Sequence, residues 1–124
     1  MDLIFDTHAL VWFAIGSPAF GRRAKEESDR AETRIFVSAV TAWEYSDLRN
    51  RGRLGSAPPI DRLQEEMGFE LVDFPASLWE LAHSLPDIHR DPTDRMLIAH
   101  SINADLVLVT ADRQMQRYPV RTLW

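Results

Sequence analysis

Apolar residues along this chain fall in short unbroken runs, separated by longer segments with helical spacing. The first run, Leu3-Ile4-Phe5, ends in Asp6-Thr7 and leads directly into His8-Ala9-Leu10-Val11-Trp12-Phe13-Ala14-Ile15. A run of this kind predicts a strand covered on both faces over residues 2–5, followed by a short helix over 7–15. Gly16-Ser17-Pro18 breaks that helix, and Ser17 with Pro18 predicts an N-cap and a first helical position for a polar helix running to about Arg30. Ile35-Phe36-Val37 predicts a second strand. Ser38 or Thr41 caps the next helix, which ends near Arg51 at Gly52. Residues 52–59 hold two Gly and two Pro and read as a loop. A helix follows over 60–67, stopped by Gly68, and then a third strand over 69–72. Residues 76–84 predict a helix with Leu78, Leu81, Ala82 and Leu85 inward, and 85–90 a loop. Residues 92–102 predict a strongly apolar helix with Asn103 as a left-handed cap. Residues 106–109 form strand four, 111–117 a short helix, and 120–123 a final edge strand.

Strands alternating with helices predict a three-layer α/β/α sandwich around a mostly parallel sheet of four to five strands. Strands one and four have the most continuous apolar runs and are placed at the centre. Asp6 then falls at the carboxyl edge of the sheet, where open α/β sheets bind ligands.

A length of 124 residues predicts a single domain over 1–124, large enough to bury roughly two thirds of its unfolded surface without cross-links. The absence of Cys removes thiolate metal sites, cysteine nucleophiles and disulfides. No apolar run approaches the roughly 20 residues of a membrane span, and Asp2 stands where a signal peptide carries basic residues. A cytoplasmic protein with no membrane partner is therefore expected. The net charge of −5 argues against a broad nucleic-acid-binding surface. Every basic residue except Lys25 is Arg, however, and the guanidinium fork suits phosphate. Arg22-Arg23-Lys25, Arg49-Arg51-Arg53 and Arg90/Arg95 are local clusters, open either to RNA or to intrahelical pairing.

Candidate chemistry rests on four carboxylates. Asp6 and Asp112 each follow an apolar strand, and each fits a helix cap. If strands one and four are neighbours, both carboxylates meet at one edge, and two like charges there call for a cation. Glu44 lies mid-helix in an apolar stripe beside Trp43, either turned to solvent or held at the sheet edge. Asp91-Pro92-Thr93-Asp94 opens the apolar helix. Asp91 fits the N-cap, and Asp94 fits either a capping box or the face that continues into Ile98. Such oxygen donors suit Mg²⁺, or Mn²⁺ as its substitute, rather than Zn²⁺. A bound ion would activate water and neutralise a phosphate. Thr7 and Thr110 are supporting candidates for orienting water or carboxylate. His8, His83, His89 and His100 share no metal-ligand spacing and read as ordinary polar or packing residues. The four Trp read as core and interface residues.

With these residues in view, the chain resembles the PIN-domain ribonucleases, and within them the VapC-like toxins of type II toxin–antitoxin systems. The motifs are Phe5-Asp6-Thr7-His8-Ala9-Leu10-Val11-Trp12, Val37-Ser38-Ala39-Val40-Thr41-Ala42-Trp43-Glu44, the stretch from His89 through Asp91-Pro92-Thr93-Asp94 to Ala99, and Leu108-Val109-Thr110-Ala111-Asp112. The resemblance implies a metal-dependent endonuclease that hydrolyses RNA phosphodiester bonds. It assigns Asp6, Glu44, Asp94 and Asp112 to the Mg²⁺ site, with Asp6 and Asp94 the most direct ligands and Asp91 in support. It further implies a homodimer neutralised by a cognate VapB-like antitoxin. Leu48 and Asn50 stand where relatives often carry basic residues, which leaves Arg49 and Arg95 as candidates to hold the RNA backbone. Trp12, Phe13 and Phe20 outline a candidate antitoxin groove. Two rivals are a phosphatase or phospho-acceptor domain and a non-catalytic partner-binding protein. A receiver domain needs a late Lys, and a haloacid-dehalogenase-like phosphatase needs Asp where His8 stands.

Overall fold

The computed structural model describes residues 1–124. Five parallel strands form one sheet in the order β3-β2-β1-β4-β5. They are β1 (Asp2–Phe5), β2 (Arg34–Ser38), β3 (Glu70–Val72), β4 (Val107–Val109) and β5 (Thr122–Leu123). Six α-helices connect them: α1 (Thr7–Ile15), α2 (Arg22–Ser28), α3 (Ala39–Asn50), α4 (Ile60–Met67), α5 (Leu78–Ser84) and α6 (Pro92–Asn103). No helix is long and apolar enough to cross a membrane.

The two-residue period of a strand explains the layers. Leu3 and Phe5 face one way, with Val107 and Val109 beside them, into a core completed by Leu10, Ala24, Tyr45 and Leu63 from the first four helices. Ile4 and Leu108 face the other way, against Leu97 and Ile98 of α6 and Ala82 of α5. Leu3, Ile4 and Phe5 are wholly buried, which only a central strand covered on both faces allows. β1 is the middle strand and β4 pairs directly with it, Phe5 opposite Val109. The register therefore carries Asp6 and Thr110 to the same edge.

Several ends shift by one or two residues, and three features depart further from the expectation. Ser17-Pro18 does not open α2: the Ser17 hydroxyl accepts the Ala19 amide in a turn, and α2 starts at Arg22 after Gly21. Gly21 lies so close to the C-terminal Trp124 that an added Cβ would sit 2.5 Å from its carbonyl carbon. The left-handed residue after α6 is Asp105 (φ 54°), and Asn103 remains helical. Beyond β4, residues 111–117 hold only a 3₁₀ turn, Met115–Arg117. Of the two capping candidates for α3, Ser38 accepts the Val40 amide, while Thr41 donates to the Phe5 carbonyl and ties α3 to the end of β1.

Candidate active site

A cleft of about 410 Å³ opens at the carboxyl edge of the sheet. It is lined by Asp6, Thr7, His8, Trp12, Glu44, Asp91, Asp94, Ala111, Asp112 and Met115. The four carboxylates thus come from four separate segments: the end of β1, α3, α6 and the loop after β4.

Each is held by local structure. Asp6 is both cap and site residue. Its Oδ1 accepts the Ala9 amide at 2.8 Å, and its Oδ2 accepts the Thr110 hydroxyl. The two readings of Asp6 are compatible because a carboxylate has two oxygens. Thr110 lies buried behind Asp6 and does not line the cleft. Glu44 does not turn to solvent: Oε1 accepts from Thr7 at 2.8 Å and Oε2 from Thr93 at 3.1 Å. Asp112 Oδ1 accepts the amides of Gln114 and Met115, closing the turn after β4. Asp91 caps α6 through the Thr93 amide at 2.9 Å. Asp94 does not complete a capping box. The Asp91 amide goes to His89 Nδ1 instead, and Asp94 turns toward His89 Nε2 at 2.9 Å.

His89 is therefore the residue that spacing alone missed. Its Nε2 also lies 3.2 Å from Asp112 Oδ2, and the three ligand-capable atoms of His89, Asp94 and Asp112 lie within 4.8 Å of one another. His89 sits in the loop before α6, so no helical or strand period marks it. His8 lines the cleft, and His100 is buried against the Ser38 hydroxyl. Trp43 (61% exposed) and Trp79 (47% exposed) are surface residues, contrary to a core role.

Neither arginine assigned to RNA lines the cleft. Arg95 is a structural clip. Its Nη1 and Nη2 donate to the carbonyls of Ala82, Leu85, Pro86 and His89 and to the Tyr118 hydroxyl. A guanidinium so occupied has few donors left for phosphate. Arg49 Nε donates to the Ala57 carbonyl and fastens the 52–59 loop to α3. Two other clusters include intrahelical pairs, Arg22–Glu26, Lys25–Asp29 and Arg51–Asp47.

The electrostatics follow from burial and like charge. Asp94 is pushed up to about 7, first by burial, then by the neighbouring charges of Asp91, Glu44 and Asp112, with His89 opposing. Burial also raises Asp6, against the hydrogen bonds from Thr110 and Ala9. A divalent cation would relieve both the repulsion and the desolvation. The candidate donors are hard carboxylate oxygens, which fit Mg²⁺ or Mn²⁺.

Comparisons with known proteins bear on the fold and the family. No curated protein matches the sequence. Solved structures share the fold. The VapBC2 structure from Rickettsia felis, bound to a DNA fragment from their promoter, matches with TM-score 0.71 and 15% identity over 99% of this chain and 98% of that chain. PAE2754 from Pyrobaculum aerophilum matches with TM-score 0.63 and 18% identity, covering 98% and 83%. VapC20 from Mycobacterium tuberculosis, a Sarcin-Ricin loop cleaving toxin, matches with TM-score 0.59 and 17% identity, covering 92% of each. The family model of the PIN domain matches residues 3–120, nearly the whole chain, which therefore belongs to the PIN-domain family.

Proposed function

We propose that this protein is a divalent-metal-dependent endoribonuclease, a VapC-like toxin restrained by a VapB-like antitoxin. The observation that carries this reading is the convergence of Asp6, Glu44, Asp94 and Asp112 on one cleft at the carboxyl edge of a parallel sheet. A bound Mg²⁺ or Mn²⁺ supplies water activation and charge neutralisation at the scissile phosphate. The chain's own part is to hold the carboxylates. Asp6 and Asp94 are the most direct ligands, and Glu44 and Asp112 complete the set. Thr7, Thr93 and Thr110 fix the carboxylate oxygens by donation. Preorganised oxygens of this kind need no rearrangement as charge develops on the phosphate.

With Arg95 and Arg49 committed to loops, phosphate contact passes to Arg113, which follows Asp112, is exposed and makes no ion pair. The antitoxin reading is supported by a second groove of about 320 Å³ lined by Trp12, Phe13 and Phe20 with Arg22, Lys25 and Glu26. Trp12 lines both this groove and the acidic cleft, so a segment seated in the groove would abut the site. A homodimer is supported by the apolar face around Phe74, Met96 and the exposed Trp43 and Trp79.

Incubation of purified protein with total cellular RNA tests the reading. Discrete cuts in Mg²⁺ or Mn²⁺ that vanish with chelator and in Asp94→Asn are expected. A folded wild type that neither binds the cation nor cuts any RNA would favour the non-catalytic binding protein.

A further inference from the structure

Asp94 differs from the other three acids in how its carboxylate is held. Asp6, Glu44 and Asp112 each accept at least two hydrogen bonds from amides or hydroxyls. Asp94 is met by one donor, His89 Nε2 at 2.9 Å, which is shared with Asp112 Oδ2 at 3.2 Å. The far side of the ring fixes where the proton sits. His89 Nδ1 accepts the Asp91 amide at 3.2 Å, so a neutral imidazole carries its hydrogen on Nε2 and donates it to the carboxylates. A nitrogen that holds a hydrogen has no lone pair for a metal.

The ring is also held from behind. The His89 amide donates to the Tyr118 hydroxyl at 2.7 Å, and the Ile88 amide to the same oxygen at 3.2 Å. The His89 carbonyl accepts from Arg95, whose other bonds gather the turn after α5. This loop is built to present one N–H between two carboxylates from different elements.

We propose that His89 is a positioning residue: its Nε2–H bridges Asp94 and Asp112 and sets the spacing at which the two carboxylates take up a divalent cation. The inference rests on the metal reading above and adds a residue to it that is not itself a ligand. Hydrogen bonds of this outer kind typically change metal affinity about 10–100-fold.

Calorimetric titration of the full chain with Mg²⁺ and with Mn²⁺ tests it, using wild type, His89→Ala and His89→Gln. The Gln side-chain amide keeps an N–H donor near the place of imidazole Nε2. The expected result is that His89→Ala weakens both ions by about 10–100-fold, while His89→Gln recovers most of the loss. Equal or tighter binding by His89→Ala would overturn the proposal, since the ring would then be idle or in competition with the cation. So would a His89→Gln as weak as His89→Ala with a larger loss for Mn²⁺ than for Mg²⁺, the mark of a nitrogen ligand. Melting curves without metal report whether each variant is folded. If His89→Ala is not, Tyr118→Phe carries the test, because it frees the Ile88 and His89 amides without touching a carboxylate. Weaker binding of both ions in the same proportion is expected there, and unchanged binding would overturn the inference. A wild type that binds neither ion overturns the metal reading and this inference with it. Wild-type binding that is unchanged in His89→Ala overturns the inference alone.

Discussion

Asp94 sits where burial and three like charges make ionisation costly, and its behaviour with pH follows. Its carboxyl is raised from 3.8 to about 7 in the folded chain. The native state therefore binds more protons than the unfolded state between those values, and stability from this group is fully present below pH 3.8 and lost as pH rises through about 7. Asp6 is shifted in the same direction. Metal-free protein should melt several degrees higher at pH 5.5 than at pH 8, and saturating Mn²⁺ should reverse that order. The apparent affinity for Mn²⁺ should fall about tenfold per pH unit below 7, because the ligand must lose its proton. Differential scanning calorimetry at the two pH values, with and without the ion, checks both statements. Asp6 and Asp112 are legible in the sequence because each follows a strand, Glu44 because it interrupts an apolar stripe, and Asp94 because it opens an apolar helix; the family resemblance is what joins the four into one set. His89 is not legible in this way. It acts from a loop whose path is set by Arg95 and Tyr118, residues 6 and 29 positions away. The carbonyls that occupy the Arg95 guanidinium are hidden from the sequence for the same reason. An arginine beside a site acid reads as a phosphate contact until the carbonyls around it are known.

The elements were readable from periodicity, and their ends less so. β1 and β4 are continuous apolar runs that admit one placement, and their pairing brings Asp6 beside Thr110. The start of α2 was displaced because Gly21 packs on Trp124, a contact across the chain that no local signal announces. Gly21→Ala should destabilise the protein by about 1–3 kcal/mol through overpacking, measured by urea unfolding. Its φ of −57° suits any residue, so the cost is steric alone. Arg95→Ala removes the clip on the loop that carries His89. Net hydrogen-bond values of roughly 1 kcal/mol each, with acceptors left unpaired, put the loss at about 2–4 kcal/mol. Hydrogen exchange should show the amides of Ile88 and His89 opening first, ahead of the sheet. Unchanged protection there would mean that Tyr118 holds the loop unaided.

Across the whole molecule the balance is acidic, −5 overall with the site acids at its centre. A polyanionic substrate approaches such a cleft only if cations and a few arginines offset the field. Arg113→Ala should weaken RNA binding across sequences and lower the slope of log affinity against log salt by about 1, the signature of one lost phosphate contact. Fluorescence anisotropy over a salt series measures it. A slope unchanged from wild type would move the phosphate contact elsewhere on the rim. The measurement that bears most directly on the central claim is a calorimetric Mn²⁺ titration of wild type beside Asp94→Asn at pH 7.5. Saturable binding in the wild type, strongly weakened in a folded Asp94→Asn, is the expected result. Equal binding in the two proteins, or none in either, would contradict a metal centre built on these four carboxylates.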